Sequence, residues 1–228
     1  MRLKELFEQV DKTVAVAFGR LNPPTIGHEK LIKAVMDQPA DAHFLFVSHT
    51  HKPTGKNKTR FENPLPFDTK LHFIQKAFPN IPIGDTSVKT VIEMMKYLED
   101  KGYETVIMVC GSDRVPEFTQ LLNDRNGSDY NIKNLKIQSS GMRDPDSPGA
   151  EGMSGTKMRQ AAIDNDVEKF KSGLATGLQG DVEAVFSAVR EGLQPWISEG
   201  VSESYGRYWC STDKKWKTRK GPKQKRSS

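Results

Sequence analysis

The sequence predicts an α/β fold: a mostly parallel sheet with helices on both faces. Three observations predict it. Short, continuous apolar runs closed by glycine read as strands buried on both faces. The segments between them carry apolar residues at helical spacing. The two patterns alternate from Thr13 to Ala162, as repeated βαβ units require.

The first element is Thr13–Phe18 (TVAVAF), a buried strand ending at Gly19. After a proline-rich turn, Gly27 to Met36 is helical, with Leu31, Ile32, Val35 and Met36 on one face. Ala42–Val47 is the second buried strand, and a polar stretch from His49 to Asn63 follows. Asp68 to Phe78 is helical, with Leu71, Ile74, Gln75 and Phe78 about a turn apart, and Pro79 and Pro82 end it. Ile81 to Asp85 suits a short strand. Ser87 to Lys101 is a helix with Val88, Val91, Ile92, Met95 and Leu98 in one stripe and Gly102 as its stop. Thr105–Cys110 is a further buried strand, Val115–Leu122 a helix, Leu135–Ile137 the last clear strand, and a helix opens near Ser154 and runs through Ala162. The whole is a Rossmann-like α/β/α sandwich, followed by C-terminal helices and a basic tail. Ligands of such sheets bind beyond the C-terminal ends of the strands, which is where every loop singled out below falls.

Bulk properties bound the function. With 228 residues and 36% hydrophobic content the chain suits one ordinary domain with an appendage. No apolar run is long enough to cross a bilayer, and the charged start Met1–Phe7 reads as an amphipathic helix and not as a secretion signal. Cys110 and Cys210 lie far apart, so a buried free thiol at Cys110 and a reducing, cytoplasmic setting are expected. The net charge of +5 is unevenly spread: Arg207–Arg226 holds nine Lys/Arg and one Asp, leaving the rest of the chain at about −3.

Chemistry concentrates in the first loop, Gly19-Arg20-Leu21-Asn22-Pro23-Pro24-Thr25-Ile26-Gly27-His28. Gly19 admits a ligand close to the backbone, and the prolines stiffen the turn. Thr25 suits a helix cap or a phosphate contact. Gly27 and His28 fall in the first helical turn, where free amides and the helix dipole favour an anion. A second phosphate-suited segment is Met153-Ser154-Gly155-Thr156-Lys157-Met158-Arg159: hydroxyls at a helix start, then a forked cation one turn on. Either segment alone is compatible with an ordinary capped helix.

Together, in this order, the two resemble the signatures of the nucleotidyltransferase superfamily. The first matches the (H/T)xGH motif, seen there as G-R-F-x-P-x-T-x-G-H, with Thr25 a permitted variant and Leu21 replacing Phe. The second matches I/M-S-x-T-x-x-R. Gly111-Ser112-Asp113 resembles a G-(S/A)-D loop of adenylyltransferases. Asn63-Pro64, with Phe67, Asp68 and Lys70, partly resembles the N-P-x-T-x-x-E-R stretch of archaeal-type nicotinamide mononucleotide adenylyltransferases. Ser140–Asp146 resembles nucleotidyltransferase-like proteins of tailed bacteriophages, for which the setting would be host cytoplasm.

The resemblance implies attack by an acceptor phosphate on the α-phosphate of a nucleoside triphosphate, with pyrophosphate released. Its catalytic residues would be His28, Arg159 and Thr25. Phe18, Gly19, Arg20, Asn22, Gly27, Gly111, Asp113, Ser154, Gly155 and Thr156 would hold the nucleotide. Lys52, Asn63 and Arg143 would meet the acceptor. The resemblance implies Mg2+ carried on the triphosphate, ATP over CTP, and nicotinamide mononucleotide as the first acceptor to try. Cytidylyl transfer to a phospho-alcohol or phospho-sugar, or a non-catalytic nucleotide- or nucleic-acid-binding role, stays open at this level.

Residues 1–175 form the expected nucleotidyltransferase domain, 176–200 a helical extension with Val182, Val185, Phe186 and Val189 in a stripe, and 201–228 a basic aromatic tail. His49-x-His51 has no further ligand spacing for zinc. Phe170 and Leu174 suit either a lid or packing. The tail interleaves aromatics with cations, a pattern for single-stranded nucleic acid; a solvated tail and a protein-docking peptide are equally compatible. No membrane partner is expected, and the oligomeric state is open.

Overall fold

A computed structural model describes residues 11–51, 63–141, 154–194, 197, 207–210 and 215–218, the last two stretches as backbone. The N-terminal helix expected at Met1–Phe7, the second-motif residue Met153, and Lys52 and Arg143 lie outside the described residues.

The elements run β1 (Thr13–Gly19), α1 (Ile26–Met36), β2 (Ala42–Val47), α2 (Phe67–Ala77), α3 (Val91–Asp100), β3 (Thr105–Cys110), α4 (Val115–Arg125), β4 (Asn134–Ser139), α5 (Gly155–Ile163), α6 (Val167–Gly173), α7 (Val182–Gly192), β5 (Arg207–Cys210) and β6 (Lys215–Thr218). The main sheet has the order β2-β1-β3-β4, all parallel. Side chains alternate across it. Ala15, Ala17, Leu45, Val47, Ile107 and Val109 face a core shared with α1, α2 and α5–α7. Val14, Val16, Phe46, Val106, Met108 and Cys110 face a second core under α3 and α4. This is the expected three-layer, Rossmann-like sandwich. The chain leaves β1 toward β2 on one side and returns to β3 on the other. A crevice therefore opens between the C-terminal ends of β1 and β3, the topological switch where such sheets bind ligands.

Several boundaries differ from the sequence reading. Ile81–Asp85 is only one parallel rung, Ile83 against Leu45. Helix α3 starts at Val91 and not at Ser87, because the Thr90 hydroxyl caps it by accepting from Glu93 N, while Asp85 takes the Ser87 N–H and hydroxyl. Gly102, at φ 78°, ends that helix as expected. The buried face of α2 is Lys70, Phe73, Ile74 and Ala77, a stripe rotated from the expected one, and Gln75 is exposed. Phe170 and Leu174 are buried in the core, Phe170 edge-on to Phe186 at 5.1 Å, so packing and not a lid is what they do here. Val182, Val185, Phe186, Val189 and Leu193 join the same core as β1 and α1, so α7 is integral to the sandwich. The Cys110 thiol is buried, and burial first, then Asp113, pushes its pKa up to about 11. Among the described residues no helix is long and apolar enough to cross a membrane.

Candidate active site

The loop after β1 is held from four directions. Leu21 sits at φ 44°, and the Asn22–Pro23 peptide is cis. The Gly19 carbonyl accepts from Ser48 N at 2.9 Å, tying the loop base to the end of β2. The Asn22 amide is engaged at both ends by Leu65: Nδ2 donates to Leu65 O (3.0 Å) and Oδ1 accepts from Leu65 N (3.1 Å). Arg159 Nη1 donates to the Asn22 carbonyl at 2.8 Å. On the far side Thr25 bridges to Leu174, and Ala175 N donates to Pro24 O. Sequence-distant segments thus clamp the turn that presents α1. The amide of Asn22 braces the Leu65 backbone.

Thr25 is the N-cap of α1, and His28 stands at the third helical position. Thr25 N donates to His28 Nδ1 at 2.9 Å, with Thr25 Oγ1 3.0 Å from the same nitrogen. The imidazole fills the place of the usual Glu or Gln in a capping box. A backbone N–H can only donate, so Nδ1 receives it on a lone pair. The neutral ring then carries its proton on Nε2, and the cap selects the tautomer. The sequence reading saw an anion-suited helix start but not this reciprocal arrangement.

The second motif lies against the first. Ser154 caps α5, its hydroxyl accepting from Lys157 N at 3.1 Å. Arg159 is 8% exposed and also donates from Nη2 to Thr156 Oγ1 at 3.1 Å. Gly155 makes the approach possible: a Cβ there would stand 3.0 Å from Arg159 Nη1. Ser154, Gly155 and Thr156 therefore line the helix start beside the Asn22 turn, as the motif order implies. Across the switch, Gly111 begins the turn after β3, with Asp113 exposed on it. Phe18 is half-buried at the end of β1, and Arg20 is exposed at the mouth of the loop.

One buried cation escaped the sequence reading as a candidate site residue. Lys70 is wholly buried, and its ammonium donates to the Ser48 carbonyl at the end of β2. It lies 5.8 Å from the Phe67 ring centroid. Burial first, then the neighbouring Arg20, lowers its pKa to about 8. Among the described residues no carboxylate faces it. An ammonium buried in this way is stabilised by an anion brought beside it. Lys70 lies three and four residues before Phe73 and Ile74 on the inward stripe, a placement that packing and not residue type reveals.

Around it, His49 stacks on Phe67 with centroids 3.7 Å apart and its Nε2 meets Thr86 O at 2.7 Å. His51 Nδ1 meets Asn63 O at 3.1 Å. Asn63 is 3% exposed, and its buried Oδ1 has no hydrogen-bond partner among the described residues. An acceptor oxygen buried this way carries a free-energy cost that an incoming donor would relieve.

No protein-family model matches the sequence, and no curated protein matches it. Solved structures do. A Vibrio parahaemolyticus protein assigned as a nicotinate-nucleotide adenylyltransferase superposes with a TM-score of 0.52 at 15% identity, over 79% of this chain and 96% of its own. The nicotinic acid mononucleotide adenylyltransferase of Plasmodium falciparum, solved with APC, superposes at 0.50 with 13% identity, over 80% of this chain and 99% of its own. At these identities the likeness is one of fold: the chain has the sandwich of nicotinate-nucleotide adenylyltransferases along nearly their whole length.

Proposed function

We propose that this chain is a nucleotidyltransferase that moves a nucleoside monophosphate, AMP first among them, from a nucleoside triphosphate to a phosphate-bearing acceptor. The observation that carries the reading is the Thr25–His28 cap. It leaves a neutral imidazole whose Nε2 proton is a donor at the N-terminus of α1, beside the topological switch. The joining of both motifs through Arg159 and Asn22 supports it. So does the shared fold with proteins described as adenylyltransferases.

In this reading an acceptor phosphate oxygen attacks the α-phosphorus, the bond to the bridging oxygen of the β-phosphate breaks, and pyrophosphate leaves. The nucleophile is anionic at neutral pH, so the protein's task is positioning and charge neutralisation. His28 Nε2–H would donate to an α- or β-phosphate oxygen as charge develops. The α1 amides and Thr25 would add donors at the same end. Ser154, Thr156 and Arg159 would hold the β- and γ-phosphates from α5. Arg20 and Lys70 would take a further phosphate oxygen, and Asn63 would offer its Oδ1 to the acceptor, for which nicotinamide or nicotinic acid mononucleotide is the first class to test. Magnesium would come bound to the triphosphate, a hard cation suited to phosphate oxygens; Asp113 is the exposed carboxylate on the loop facing them.

The test is a matrix of the four nucleoside triphosphates against pyridine mononucleotides, a phospho-alcohol and a phospho-sugar, reading pyrophosphate. ATP with a pyridine mononucleotide is expected to turn over, and His28→Ala to abolish that signal. Turnover with CTP alone would replace the adenylyl assignment. Triphosphate binding with no turnover for any pair would overturn the enzymatic reading.

A further inference from the structure

We infer that the C-terminal hairpin is a platform for single-stranded nucleic acid. Strands β5 and β6 pair antiparallel in a sheet of their own. The register sets Trp209 opposite Trp216 and Arg207 opposite Thr218; Tyr208 stands opposite Lys217 and Cys210 opposite Lys215. Opposite residues of an antiparallel pair share a face. One face therefore carries two of the chain's three tryptophans together with an arginine, and the other a tyrosine with two lysines.

Charge and chemistry select the partner. The segment from Arg207 to Arg226 holds nine Lys/Arg against one Asp, while the rest of the chain is about −3, so a polyanion is drawn to the hairpin. A segment serving only solubility has use for the cations but none for a tryptophan pair. An acidic protein would satisfy the charge alone. Aromatic residues alternating with cations answer both halves of a single strand, bases through stacking and phosphates through charge.

The test uses the full chain and a labelled oligothymidylate of about 20 nucleotides, read by fluorescence anisotropy across a salt series. Binding is expected, with log affinity falling against log salt at a slope steeper than about −2. The double variant Trp209→Ala/Trp216→Ala should bind at least about tenfold more weakly. Trp209→Phe/Trp216→Phe, which keeps a ring at each position, should lose less, and Lys215→Gln/Lys217→Gln should flatten the salt slope. Thermal unfolding and nucleotide binding should be unchanged in all three, which keeps this outcome distinct from any failure at the triphosphate site. Absence of oligothymidylate binding at low salt would overturn the inference, as would equal affinity of the Ala and native chains. Equal weakening by Phe and Ala would overturn the stacking argument. Binding of polyglutamate without oligothymidylate would assign the hairpin to an acidic protein instead.

Discussion

Arg159 Nη1 and the carbonyl oxygen of Asn22 meet at 2.8 Å, joining two turns 137 residues apart in the chain. The same guanidinium reaches Thr156 Oγ1. A side chain this buried holds the loop after β1 in place as well as supplying charge. Arg159→Met should therefore weaken the fold along with triphosphate binding. Leaving the Asn22 carbonyl without its donor costs about 1–3 kcal/mol. For a chain of this size that lowers the melting temperature by roughly 2–12 °C. Arg159→Lys keeps the charge but loses the fork, and should fall between the two in a thermal melt and a binding titration.

His28 has two duties that mutation can separate. Its Nδ1 caps α1, and its Nε2 proton is assigned to the phosphates. His28→Gln restores an acceptor at a position where Gln caps well, so the melting temperature should stay close to the parent while turnover falls by orders of magnitude. His28→Ala should lose the same turnover plus about 1 kcal/mol of stability from the missing cap. Equal turnover in His28→Gln and the parent would remove the Nε2 assignment.

Lys70 gives the proposed site a pH dependence that can be tested. Its pKa in the folded chain, about 8, is below the ordinary lysine value of 10.5. The unfolded chain therefore binds the extra proton between these values, and stability contributed through Lys70 rises with pH from about 8 to 10.5. Below about 8 the buried charge is a standing cost. Lys70→Met should raise the melting temperature at neutral pH and weaken triphosphate or acceptor binding. In the parent that binding should decline as pH rises through about 8, the ammonium losing its proton, and Lys70→Met should flatten the decline. A parent profile unchanged through that range would exclude Lys70 from the anion site.

Asn22→Leu tests the brace on the loop. It removes both hydrogen bonds to the backbone of the fully buried Leu65. Two main-chain groups left without partners cost about 2–6 kcal/mol together. The melting temperature should drop by at least about 4 °C. Amide exchange at Leu65 should accelerate more than at Val106, in the middle of the sheet.

Much of this was readable in the chain. The buried strands announced themselves because a central parallel strand must be apolar on both faces, and TVAVAF and TVIMVC are. The two motifs were visible because helix starts suited to anions use few residue types. The face of α2 was not, because Lys70 carries a long polar side chain onto an apolar stripe, and only packing reveals a lysine buried whole. The hairpin of the tail was equally hidden: its aromatics and cations were plain, but not their register.

The sequence alone therefore determined the layer architecture, the edge of the sheet at which its loops converge, and the presence of His28 and Arg159 at two anion-suited helix starts. These follow from local periodicity and from residue chemistry at fixed spacing. Tertiary structure decided what each group does there. The Thr25 cap set the tautomer of His28, Asn22 was spent on Leu65, Arg159 was turned onto a carbonyl of the facing loop, and Lys70 was placed beside Arg20. The reason is physical: a hydrogen bond or a charge pairing depends on which distant backbone atom arrives within 3 Å, and packing, not spacing along the chain, brings it there.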